Sequence, residues 1–314
     1  MFREENMIIT VTMNPAIDKT VDIQSFLHGG LNRITRTCQD AGGKGINVSK
    51  TIHHLGGETV AAGFVAGSTG EFIEKALKEY GIRTDFIPVE GETRTNTKIV
   101  ETAGIVTELN EPGPEVTKEH VEKLIQKLEG YASPDTLVVL SGSIPRGVDR
   151  NIYGVITERM HERGASVLLD ADGGLFAQSL YAAPDIVKPN RVELEQYFGQ
   201  PDAKEKDLIR MGEELLEKGI RLVAISMGSE GALFLKKGCR IKCPGLQVKA
   251  HSTVGAGDAM VAALAMAWQQ HLPFEKAAAL GMATSAGAVT TIGTKPPTKE
   301  MVETLLGQVQ IQYI

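Results

Sequence analysis

The sequence predicts an α/β protein: a doubly wound, mainly parallel sheet flanked by helices, with a small antiparallel β lid, in one domain spanning residues 1–314. Three observations carry that expectation. Short apolar runs rich in Val, Ile and Leu recur along the chain, as buried parallel strands require. Helical periodicity fills the intervals between them. Two excursions, near 17–40 and 85–110, break the rhythm with polar, two-residue alternation.

Taken in order, the buried strands are expected at 7–12, 59–65, 136–140, 166–169, 185–187 and 221–226. The intervening helices are expected at 46–55, 71–80, 118–128, 150–163, 204–218, 256–270 and 274–288. Lid strands are expected at 19–23, 33–37, 95–101 and 105–109, with no helix between neighbours. A half-exposed sheet beside an α/β core is suited to cover a site or to form a subunit contact. No repeat, low-complexity tract or Pro/Ser-rich linker divides the chain, so the lid is expected as an excursion from the main domain.

Composition excludes several classes. Hydrophobic residues make up 42% and charged residues 23%, ordinary globular values. No run of apolar residues is long enough to predict a membrane span. Residues 1–6 carry mixed charge and lack the apolar core of a signal peptide, and Met7 is an alternative start. Cys38, Cys239 and Cys243 are odd in number and fit no zinc pattern; Cys239-x-x-x-Cys243 lacks a second half. A reducing cytoplasm is the simplest expectation. A net charge of −6 argues against nucleic acid as a partner.

The strongest local signal is Ser252-Thr253-Val254-Gly255-Ala256-Gly257-Asp258-Ala259, which opens an alanine-rich helix. Small residues let the backbone approach a ligand. The free N–H groups of a helix start suit a phosphate. Asp258 then stands beside the anion, where a carboxylate can accept a hydroxyl proton. The helix N-terminus is expected to lower its pKa. On spacing alone, the motif reads equally as a glycine turn with Asp258 complementing the helix dipole. It is neither a Walker A loop nor a dinucleotide fingerprint. A second glycine turn, Ala41-Gly42-Gly43-Lys44-Gly45-Ile46-Asn47-Val48-Ser49, also enters a helix. Lys44 supplies a cation and Asn47 an amide that both donates and accepts, a pair suited to sugar hydroxyls; a flexible loop with a solvated lysine is the alternative.

The two motifs, near opposite ends of the chain, resemble the signatures of the ribokinase-like (PfkB) carbohydrate kinase family. Thr12-Met13-Asn14-Pro15-Ala16-Ile17-Asp18, Thr93-Arg94-Thr95-Asn96-Thr97-Lys98, Ser141-Gly142-Ser143-Ile144-Pro145 and Lys188-Pro189-Asn190-Arg191-Val192-Glu193 add matches to its sugar-phosphate branch, in the family's order. The resemblance covers essentially the whole chain. It implies a ribokinase-like fold and an ATP- and Mg²⁺-dependent kinase. Fructose 1-phosphate is the first expected substrate, phosphorylated at O6. Tagatose 6-phosphate or fructose 6-phosphate is the alternative, and a free-sugar or nucleoside kinase or a non-catalytic sensor comes further behind.

Residue roles follow from the resemblance alone. Asp258 is the expected base, with Gly255, Ala256 and Gly257 as the anion hole. Asp18, Gly42, Gly43, Lys44, Asn47, Arg94 and Ser143 are expected around the sugar phosphate, with Arg33 and Lys98 as further cations and Arg33 acting across a homodimer built through the β lid. Arg94 offers a bidentate fork that only a phosphorylated sugar needs. Lys188, Asn190, Ser226, Gly228, Gly231, Thr253, Gly255, Gly257, Ala283 and Gly287 are expected around the nucleotide. Asn190 and Glu193 are expected to hold Mg²⁺ through water, or else to form an ordinary helix start. No membrane partner is expected.

Overall fold

The computed structural model describes residues 7–314; the mixed-charge stretch 1–6 lies outside them. The strands are β1 (Met7–Thr12), β2 (Ala16–Ile23), β3 (Ile34–Gly42), β4 (Val60–Val65), β5 (Arg83–Pro88), β6 (Arg94–Glu101), β7 (Val106–Asn110), β8 (Thr136–Ser141), β9 (Ser166–Asp170), β10 (Ile186–Val187), β11 (Leu222–Ser226), β12 (Ala232–Lys236), β13 (Cys239–Cys243) and β14 (Gln312–Tyr313). The helices are α1 (Lys44–His54), α2 (Gly67–Glu79), α3 (Lys118–Tyr131), α4 (Ile152–Glu162), α5 (Gly173–Ser179), α6 (Arg191–Phe198), α7 (Glu205–Glu217), α8 (Ala256–Gln269), α9 (Phe274–Val289) and α10 (Lys299–Leu306). None of the described helices is long and apolar enough to cross a membrane.

The large sheet has the order β14-β13-β12-β11-β10-β9-β8-β1-β4-β5. Every pairing from β5 to β11 is parallel, and β12, β13 and β14 close one edge antiparallel. Strand side chains alternate between two cores. Val138 and Leu140 of β8 join one with Leu124, Ile156 and Met211, beneath α3, α4 and α7. Leu137 and Val139 join the other with Val48, Val261 and Met282, beneath α1, α8 and α9. Both faces are therefore covered, as a parallel sheet needs. Burial on both faces explains why the strands read as continuous apolar runs: all six residues of β4 are buried.

A second sheet has the order β3-β2-β6-β7. Its outer pairs, β2–β3 and β6–β7, are antiparallel as expected, while the central pair β2–β6 is parallel. Within each excursion no helix intervenes, as expected. A parallel pair needs a crossover, and α1 and α2, both expected from sequence, lie within it. What is corrected is the direction of the central pair in a sheet expected to be antiparallel. β5, placed by sequence in the second excursion, pairs with β4 in the large sheet.

Helix α2 begins at Gly67, earlier than periodicity predicts. Its first N–H groups are met from outside the helix: the Glu92 carboxylate accepts from the Ser68 and Thr69 amides. The hairpin β12–β13 and helices α5 and α10 have no counterpart among the sequence-based expectations. The last two are short, and so carry little periodic signal.

Candidate active site

β1 lies between β4 and β8, so the strands that follow it are added first on one side, as β4 and β5, and then on the other, from β8 onward. Ligand crevices open at such reversals, outside the carboxyl ends of the strands. Asn14 follows β1, Ser143 follows β8, and β2 leads straight from Asn14 into the second sheet. The crevice is thus floored by the large sheet and walled by the small one.

The two glycine turns meet there. Gly43 caps α1 at φ 111°, and a Cβ on it would lie 2.7 Å from Thr12 Cγ2. Gly255 caps α8 at φ 85°. Both conformations favour glycine. α1 and α8 then pack together, and Asn47 Nδ2 donates a 2.8 Å hydrogen bond to Asp258 Oδ2 across 211 positions of sequence. Burial, then the negative charge of Asp170, pushes the Asp258 carboxyl up to about 6, against the pull of Asn47, Lys44 and Lys188. This overturns the expected depression: desolvation outweighs the helix N-terminus.

Asp170, absent from the sequence-based assignments, is the centre of the charge arrangement. It ends β9 with its side chain 2% exposed. Lys188 Nζ lies 3.2 Å and Lys44 Nζ 3.7 Å from its oxygens. These are ion pairs without the alignment of hydrogen bonds, and neither oxygen receives a well-directed donor among the described residues. Burial works against the carboxylate, but Lys188 and Lys44 outweigh it and hold its pKa below the ordinary range. The same exchange raises Lys44: burial pulls the ammonium down, and Asp170 and Asp258 more than offset it. The available signal was position, an acid at the carboxyl end of an apolar strand.

A cavity of about 610 Å³ runs from Lys44, Asp170 and Asp258 outward. Lys188, Asn190, Glu193, Ser226, Gly228, Gly231, Thr253, Gly255, Ala256 and Gly257 line it, all foreseen from sequence. Gly231 has φ 101°, and a Cβ there would stand 2.0 Å from the Cys243 carbonyl oxygen. Asn190 and Glu193 form a reciprocal cap: Asn190 Oδ1 accepts from the Glu193 amide at 2.9 Å, and Glu193 Oε2 accepts from the Asn190 amide at 2.8 Å. Burial raises the Glu193 pKa. Ala283 and Gly287, expected at the nucleotide, are instead buried in helix packing. Ala283 belongs to the core beneath α9, and a Cβ on Gly287 would lie 2.9 Å from Pro297. The same helix turns Met282, Ser285, Ala286 and Val289 to the cavity, where Leu246 and Val248 complete an apolar wall.

On the lid side, Arg94 Nε and Nη2 donate to the Asn14 carbonyl at 3.2 and 3.0 Å, and Nη2 reaches Ser143 Oγ at 3.4 Å. Asp18 on β2 accepts from Asn96 Nδ2 at 3.4 Å. Gly42 makes room for that carboxylate, since a Cβ there would lie 2.3 Å from Asp18 Oδ2. Lys98 pairs with Glu108 at 3.8 Å, and Arg33 is exposed between β2 and β3. The amide oxygens of Asn14, Asn47 and Asn96 are buried without a hydrogen-bond donor among the described residues. Buried acceptors left open in this way are costly unless a ligand supplies donors.

Comparison with known proteins gives the family. Residues 4–301 match the model of the pfkB family carbohydrate kinases. The chain is 35% identical over 307 residues to the 1-phosphofructokinase of Bacillus subtilis, covering 97% of this chain and 99% of that one. It is 33% identical over 309 residues to the D-tagatose-1-phosphate kinase of Bacillus licheniformis, covering 98% and 100%. Phosphofructokinase-2 of Escherichia coli, solved with potassium, superposes with a TM-score of 0.92 at 26% identity, covering 96% and 98% of the two chains.

Proposed function

Because this chain belongs to the pfkB family of carbohydrate kinases, we propose that it transfers the γ-phosphoryl group of ATP to O6 of fructose 1-phosphate, giving fructose 1,6-bisphosphate and ADP. The observation that carries the mechanism is the 2.8 Å contact of Asn47 with Asp258, which joins the sugar turn to the phosphate turn. Asp258 takes the O6 proton as O6 attacks the γ-phosphorus and the bond to the ADP oxygen breaks. The N–H groups around Gly255, Ala256 and Gly257, with Lys44 and Lys188, face the charge that develops on the phosphoryl oxygens. Met282, Ala286 and Val289 offer the apolar wall for adenine, beside Ser226, Gly228 and Thr253. Asp18, Asn14, Asn47 and Asn96 accept from sugar hydroxyls beneath the lid.

Mg²⁺ fits this donor set. Asp170 is a fully buried carboxylate with no aligned donor, and Glu193 keeps one oxygen outside its cap. Mg²⁺ at kinase sites is typically held by one or two carboxylates together with phosphates and water. Asp170 and Glu193 would anchor it; Asn190 Oδ1 is already engaged as the cap. When bound, the ion neutralises phosphate charge.

We assign Arg94 to the sugar's existing phosphate. Its three bonds occupy Nε and Nη2, leaving Nη1 without a partner among the described residues. Arg94→Ala is expected to raise the KM for fructose 1-phosphate by about tenfold or more, the weight of a charge-assisted contact, with the KM for ATP within about twofold of wild type. An unchanged sugar-phosphate KM would remove the anchor role.

The second substrate favoured by an observation is D-tagatose 1-phosphate, through the Bacillus licheniformis relative. It differs from fructose 1-phosphate only at C4, whereas tagatose 6-phosphate carries its phosphate at the other end of the chain. A coupled assay of fructose 1-phosphate, fructose 6-phosphate, tagatose 1-phosphate and tagatose 6-phosphate decides. The proposal fails if kcat/KM for fructose 1-phosphate is not the highest of the four.

The lid supports a homodimer. Phe26, Leu27, Leu31, Ile34, Ile105, Val106 and Leu109 are exposed there, Leu31 by 76%, and an apolar surface of this kind calls for a partner. Arg33 lies among them, and in a dimer would reach the neighbour's sugar phosphate. Leu31→Asp combined with Leu109→Asp is expected to convert the dimer to monomer, read by light scattering, with a raised sugar-phosphate KM. A wild-type monomer would overturn this assembly. The three cysteines are free, in keeping with a cytoplasmic enzyme.

A further inference from the structure

Lys50 is a buried cation with no part in the mechanism above. It lies on α1, beyond the Gly42–Gly43 turn, and is 3% exposed. Its Nζ donates a hydrogen bond to the Ala41 carbonyl. Ala41 is paired with Ile17 at the end of β3, where the lid joins the core. The ammonium also stands 5.4 Å from the centre of the Tyr80 ring, on the C-terminal side of α2. A buried ammonium needs opposite charge nearby, and the carboxylates that act on Lys50 are Asp40 of β3 and Asp18 of β2. One side chain thus holds the backbone where the lid joins the core and bears on the Asp18 carboxylate.

We propose that Lys50 is a positioning residue for the sugar phosphate: through Ala41 it fixes the lid hinge, and through its charge it supports the Asp18 carboxylate as the sugar's acceptor. The inference rests on the assignment of Asp18 to the sugar pocket. Burial pushes the Asp18 carboxyl up; Lys98 and the Asn96 hydrogen bond of β6 oppose it, as do Lys50 of α1 and Arg94 of β6. Lys50 itself is pulled down by burial and held up by Asp40 and Asp18, with His54 within reach of its charge. Removing the Lys50 cation therefore lets Asp18 protonate at a higher pH.

Three substitutions separate the two effects. Lys50→Gln keeps a donor for Ala41 without the charge, Lys50→Met removes both, and Lys50→Arg keeps both. Lys50→Met is expected to raise the sugar-phosphate KM roughly tenfold and Lys50→Gln a few-fold, in line with the worth of a buried hydrogen bond and a nearby charge. In Lys50→Gln, the rise of that KM on acidification should begin at higher pH, while the acid limb of kcat and the KM for ATP stay in place. Lys50→Arg should restore both. In an Asp18→Asn background, Lys50→Gln should add less than about a twofold loss in kcat/KM, since the two residues act together.

Unchanged sugar-phosphate KM and pH behaviour in a folded Lys50→Gln protein overturn the proposal. So does a full, independent loss in the Asp18→Asn background. If neither Lys50→Met nor Lys50→Gln folds by circular dichroism while Lys50→Arg does, Lys50 serves stability alone and the proposal falls. Wild-type protein inactive on all four ketohexose phosphates would instead sink the sugar-phosphate assignment beneath it.

Discussion

Asp258→Asn is expected to lower kcat about 10³-fold, the scale of a lost general base, while ATP binding by calorimetry stays within about twofold of wild type. The same substitution should make the protein more stable at pH 8. The folded-state pKa of Asp258 is raised from 3.8 to about 6, so the native state resists its ionisation. That cost is absent below 3.8, develops as pH rises toward 6, and is complete above. A shift of about two units corresponds to about 3 kcal/mol. The amide removes the charge and can still accept the Asn47 hydrogen bond. Differential scanning calorimetry should therefore show a higher Tm for Asp258→Asn at pH 8 and convergence of the two proteins near pH 4. In the wild type, kcat should fall as pH drops through about 6, because the base must be ionised. Near-normal turnover in Asp258→Asn would refute the assignment, and an unchanged Tm would refute the account of its burial.

Much of this site is legible in the sequence because glycine and charge are local signals. Gly43 and Gly255 sit at positive φ at helix starts, where only a small residue suits both the backbone and a close ligand. The parallel strands are legible because burial on both faces leaves a continuous apolar run. What sequence conceals is long-range. The pKa of Asp258 depends on Asp170, a neighbour only in space. The extended start of α2 depends on Glu92, beyond the helix's other end. The parallel β2–β6 pair reads like its antiparallel neighbours because alternation reports exposure on one face, not strand direction. Ala283 and Gly287 lie on the helix that lines the cavity, but on its packed face: in a stretch of small residues the helical stripe toward a cavity and the stripe toward the core look alike.

Asp170→Asn should have the second-largest effect, and its direction distinguishes charge balance from simple loss of a ligand. Two lysine ammonium groups and the Asp258 carboxyl surround this carboxylate. Leaving buried charge uncompensated costs about 3–5 kcal/mol, so a Tm lower by several degrees is expected at pH 7. The Asp170 pKa is held below 3.8 by Lys188 and Lys44, against burial. Its contribution to stability is therefore fully present above 3.8 and lost as pH falls through the depressed folded value. The gap between wild type and Asp170→Asn should accordingly close only in strong acid, the reverse of the Asp258→Asn pattern. At the catalytic carboxyl, removing a negative neighbour makes ionisation easier, and Lys44 and Lys188 are freed to act on Asp258. The acid limb of kcat should thus move below about 6, even as kcat drops by one to two orders of magnitude through weaker hold on Mg²⁺ and phosphate, roughly the factor seen when a metal site loses a supporting group. A pH profile of kcat in saturating ATP and Mg²⁺ reads both numbers. If the limb stays near 6 or moves upward, Asp170 does not set the charge of the base, and the raised pKa of Asp258 must come from burial alone.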